Sequence, residues 1–223
     1  MLRMLPFTPE EFFGVFVQYN EGVWPMQWVL TAVAAAVLLL ALCRAIWRDR
    51  VIALLLGVLW AWVAIAYHVL HFSRINPAAW LFAAAFLAQA ALFAWWAISD
   101  RPLECSLRLD FRGGSSACVI AYALIVYPLL SARLGHRYPS TPTFGVPCPT
   151  TIFTLGMLIT ARAGRTGILF IVPLLWSVIG GSAAFLLGVW QDLGLIVSAS
   201  IAAAFLGTGW FVARFRRHDG IFD

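Results

Sequence analysis

The chain has 223 residues, 62% hydrophobic and 11% charged, with a formal net charge of +5. Soluble domains are nearer about 45–50% apolar and about 25% charged, so an ordinary soluble domain, a disordered chain and a coiled coil are all excluded. Every one of the 15 basic residues is arginine, which excludes a retinal Schiff base and any other lysine-dependent covalent chemistry.

Residues 1–22 do not form a signal peptide, because Glu10 and Glu11 break the apolar stretch and no small-residue cleavage site follows. Thr8-Pro9-Glu10-Glu11 is a helix start: a threonine cap, proline in the first turn, acids at the positive end. Phe12, Phe13, Phe16 and Val17 then share a face. The segment is expected to be a short amphipathic helix, either lying on the outer membrane surface or packed on the outer loops.

Hydrophobic runs follow at 23–46, 51–72, 77–98, 116–133, 149–163, 166–188 and 192–213. Their lengths predict spanning helices, so the expected fold is all-α: a single membrane domain of seven transmembrane helices, with residues 214–223 as a cytoplasmic tail. The fifth run is short and proline-bounded, and it is either a full span or a re-entrant segment. Arginines set the orientation. With the N-terminus outside and seven spans, Arg3, Arg74, Arg133 and Arg137 lie outside and the other 11 lie inside. A re-entrant fifth run would leave 6 inside and 9 outside. The positive-inside rule therefore predicts seven spans, N-outside and C-inside.

In the loop 99–115, the alternation Leu107-Arg108-Leu109-Asp110-Phe111-Arg112 predicts a short strand or extended segment ended by Gly113-Gly114. Small residues recur at Gly180, Ala184 and Gly188, and again at Ala199, Ala203 and Gly207. Such stripes let helices approach closely, either within one chain or against a second copy or another membrane protein. The lipid bilayer is the other expected partner, and no nucleic acid is expected.

The candidate site residues collect towards the outer face: Tyr67, His68, His71 and Arg74 after the second span, His136 after the fourth, then Cys148, Thr150, Thr151, and Asp192 before the seventh. His68 and His71 stand three apart, which on a regular helix puts them on one face. That spacing admits a metal ion, with a third ligand from His136, Cys148 or Asp192, although no cofactor is required and no catalytic residue is assigned. The stretch 138–154 carries four prolines before its helix can start, and Cys148 sits between Pro147 and Pro149 at that start. A proline-flanked helix start inside a bundle is where transporters hold ions; it also serves as a rigid plug. Cys43, Cys105 and Cys118 fall on the inner half, so Cys148 has no intrachain disulfide partner outside.

Three readings of function are carried forward. The chain binds or passes a small molecule or ion at an outward-facing polar site, or it is an accessory subunit of a membrane complex, or it is a membrane-embedded metal or thiol redox protein. The opening at 4–13, Tyr19-Asn20 with Trp24-Pro25, the His68/His71 pair and the run Pro142-Thr143-Phe144-Gly145-Val146-Pro147-Cys148-Pro149-Thr150-Thr151-Ile152-Phe153-Thr154 resemble a bacterial family of small multi-pass membrane proteins of unknown function. The resemblance implies a bacterial inner-membrane location and supplies no activity.

Overall fold

The computed structural model describes residues 5–99, 103–161 and 166–219, the last eleven of these by backbone alone. Arg3, Arg101, Arg162 and Arg165 of the topology argument lie outside the described residues. The described chain is helical. Helix α1 (Pro9–Gly22) opens with the expected cap: the Thr8 hydroxyl accepts from Glu11 N–H at 3.2 Å, and the Glu11 carboxylate accepts from Thr8 N–H at 2.8 Å. It turns by 86° into α2 (Met26–Leu42). Helix α3 (Arg48–Trp62) continues as a π-helical stretch, Val63–Val69, and a 3₁₀ turn, Phe72–Arg74. Helix α4 (Ala79–Ile98) packs back along it, helped by Gly57, where an added Cβ would stand 3.2 Å from Ala90 O.

Helix α5 (Phe111–Ala121) runs through a π-helical turn, Tyr122–Val126, into α6 (Tyr127–Arg133). That turn ends two residues before Pro128, whose ring and missing N–H disrupt an α register. Helix α7 (Pro147–Thr160) follows, then α8 (Ile171–Leu187) after a 3₁₀ turn, and α9 (Leu193–Asp219). Five helical stretches are long and apolar enough to cross a membrane, or six if the bent pair α1–α2 counts as one span.

Two expectations are corrected. Residues 107–112 form no strand: Asp110 caps α5, its carboxylate accepting from Gly113 N–H at 2.7 Å, so Gly113 and Gly114 sit in the first helical turn. The chain also stays helical from Leu193 to Asp219, past the boundary at 213 expected from hydropathy. Of the two readings of α1, packing on the bundle is the one its contacts show. Phe12 lies on Phe72, Phe16 stacks on Tyr67 with centroids 6.0 Å apart, and Phe13 stacks on His136 at 4.1 Å.

Helix α7 is the centre of the molecule. Every one of its 14 residues except Cys148 is buried, against α5, α8 and α9 and the end of α3. At about 1.5 Å per residue it is about 21 Å long, short of a hydrocarbon core of about 30 Å. Gly156 allows α5 to come close, since a Cβ there would lie 2.6 Å from Ile120 Cγ1.

Candidate functional site at the start of the central helix

The four N–H groups at a helix start have no partner inside the helix. In α7 two of them are absent, at Pro147 and Pro149, and Val146 N–H bonds to Thr143 O at 3.2 Å. Among the described residues this leaves Cys148 N–H as the one donor at this start without a backbone acceptor. Beside it, the Cys148 thiol donates to Asp192 Oδ2 at 3.4 Å, and Tyr127 OH donates to Asp192 Oδ1 at 2.5 Å. Asp192 is 1% exposed, and a carboxylate there complements the positive end of the α7 dipole. At the other end, Arg112 donates to Ile159 O, and to Ala161 O at 2.7 Å. The central helix thus has a carboxyl group at its start and a guanidinium at its end.

Cys148 and Asp192 line a cavity of about 130 Å³, bordered by Phe7, Phe12 and Phe16 from the N-terminal segment and by Tyr67, Phe72, Phe82 and Trp176. A separate polar cavity of about 610 Å³ lies at the far end of α7, lined by Arg48, Arg108, Arg112, Glu104, Asp110 and Thr160. Several buried polar atoms have no hydrogen-bond partner among the described residues, among them Thr150 Oγ1, Thr151 Oγ1, both His68 nitrogens and Trp176 Nε1.

Of the residues expected at the site, Tyr67, Cys148 and Asp192 are brought together at the cavity. Thr150 and Thr151 sit one turn deeper in α7, both buried. His68 and His71 do not share a face. His68 is enclosed by aromatic rings, with centroids 4.8 Å from Phe86 and 5.2 Å from Trp176. His71 Nδ1 instead meets Ala66 O at 2.6 Å, with its ring edge-on to Tyr19. The physical reason is the π-helical winding through Val63–Val69 and the turn after it, which destroy the α-helical i, i+3 relation. Among the described residues no three of His, Cys, Asp and Glu converge as metal ligands, so the ligand pair expected from the spacing does not form. His136 is spent on Phe13, where burial pushes its pKa below the usual imidazole value. Arg74 is exposed and donates to Gln18 Oε1 at 3.1 Å.

Sequence reasoning missed Tyr127 and the lid of phenylalanines. Tyr127 pairs with a residue 65 positions away, and no local pattern encodes that. The apolar face of α1 was legible, but not what it covers.

The segments that carry the sequence resemblance also meet in space. Tyr19 OH donates to Gly145 O at 3.0 Å, and the Thr143 hydroxyl donates to Asn20 Oδ1 at 2.7 Å. The chain belongs to DUF6064, a family of unknown function. The family model matches residues 9–217, which takes in α1, all of α7 and the cavity lining except Leu5 and Phe7. No curated protein and no solved structure matches this DUF6064 chain.

Proposed function

We propose that this chain is a seven-helix protein of the bacterial inner membrane, N-outside and C-inside, that binds or passes a small molecule or ion through a site opening outward at Cys148 and Asp192. Helix α2 and the short α7 complete the seven spans. The arginine distribution supports the orientation, and with it the end bearing α1 and the proline-rich loop faces out. The observation that carries the functional reading is a central helix sheathed in protein, with a cavity at each end and unpartnered polar atoms along its first turns. A buried polar group left unpaired costs about 1–3 kcal/mol, and a bound ligand or water offsets that cost.

The test is a membrane-impermeant thiol reagent applied to intact cells. Cys148 is expected to react, and Cys148→Ser to abolish the labelling that Cys43, Cys105 and Cys118 do not account for. Labelling from the cytoplasmic side alone contradicts the reading. A second reading, an accessory subunit, is favoured by one observation: Ala203 and Gly207 on α9 are exposed, and nothing lies within 4 Å of a Cβ built on Gly207. By contrast, Gly180 and Ala184 of the other stripe are buried, and a Cβ on Gly180 would lie 2.7 Å from Leu195 Cδ1 in α9. Cross-linking through a cysteine placed at Gly207 tests the second reading.

A further inference from the structure

We infer that the cavity beside Cys148 is a site for a small organic cation, an ammonium group on an apolar body about the size of a benzene ring, with Asp192 as its counter-ion. This rests on the outward-opening site proposed above and names its ligand class. Asp192 is 1% exposed, and its two partners, Tyr127 and Cys148, are both neutral donors. Among the described residues no arginine or histidine pairs with it. A buried carboxylate without a cation is unusual, because burying an isolated charge is expensive. Burial opposes its ionised form, the two donated hydrogen bonds and the adjacent start of α7 favour it, and an ammonium group beside it would supply the counter-charge that the fold does not. A helix start carries about half an elementary charge, so the ionised carboxylate that a bound cation would stabilise outweighs it.

The rest of the cavity suits the other parts of such a ligand. Phe12, Phe72, Phe82, Tyr67 and Trp176 surround the space, and aromatic faces attract an ammonium group while accommodating an apolar body. The volume is about 130 Å³, close to the roughly 150 Å³ apolar cavity that accepts benzene in another protein. Arg112, Arg48 and Arg108 line the cavity at the far end of α7 and not this one.

The experiment follows modification of Cys148 in the full-length protein in lipid nanodiscs at neutral pH, with benzylammonium and its neutral counterpart benzyl alcohol as probes. Saturating benzylammonium is expected to slow the modification tenfold or more, and benzyl alcohol at equal concentration less than twofold. Asp192→Asn is expected to remove the protection by benzylammonium while Cys148 still reacts. Equal protection by both probes, or none by benzylammonium, overturns the inference and leaves the outward-opening site standing. If Cys148 of the folded protein does not react at all, both fall. The contrast between the two probes is read on the unaltered chain, so the inference stays testable if Asp192→Asn fails to fold.

Discussion

Pro147 and Pro149 remove two N–H groups from a helix start that has no side-chain cap, since Val146 contributes none. Replacing Pro149 with alanine restores a buried N–H in the first turn, where donors have no partner inside the helix. Although alanine is the better helix former, Pro149→Ala is expected to cost about 1–3 kcal/mol, read as a lower unfolding temperature in detergent; a variant as stable as the parent contradicts the explanation. Cys105, in the loop between α4 and α5, is buried, and burial raises its thiol from an ordinary 9.0 to about 12. An acid held above its unfolded value keeps its proton in the fold. Its contribution to stability is therefore complete below pH 9 and fades as pH rises towards 12. At pH 8.5 a small maleimide is expected to modify exposed Cys43 while Cys105 stays unmodified until denaturant is added, as followed by mass spectrometry. At this scale the Thr8–Glu11 cap was legible from sequence because capping is local. The Cys148–Asp192 pair was not, since 44 positions separate its members.

At the scale of elements, α7 depends on Arg112 for its end. The guanidinium reaches two carbonyls at once, and hydrogen bonds from charged groups contribute about 1.5–3 kcal/mol each. Arg112→Leu is expected to destabilise the protein by about 2–4 kcal/mol. Arg112→Lys should cost less, because a compact ammonium retains the charge at the helix end but not the fork. Equal unfolding temperatures for the two variants would show that the helix end does not need the cation. Apolar run lengths anticipated these elements well, since burial in lipid or in the bundle leaves the same hydrophobic signature. That equivalence is also why hydropathy did not show α7 to be wrapped in protein along its whole length. The π-helical turn that separates His68 from His71 was hidden for a different reason: winding is decided by packing against neighbouring helices, and a spacing rule assumes regular geometry.

At the scale of the whole molecule, an arginine-rich end around Arg48, Arg108 and Arg112 and an end lidded by α1 stand at opposite ends of α7. A reporter fused after Asp223 is expected to be active only in its cytoplasmic form; activity of an exported reporter would contradict seven spans with the N-terminus outside. The proposed orientation rests on the arginines alone. The lid was not legible in the sequence, because the 86° turn between α1 and α2 sets where the phenylalanines land. The most direct measurement is an experimental density map of the protein in a lipid bilayer. It is expected to show α7 contacted by protein along its whole length, with Cys148 and Asp192 facing the cavity under α1 and that cavity open to the outer side. Acyl-chain density against α7, or Cys148 turned into lipid, would contradict it.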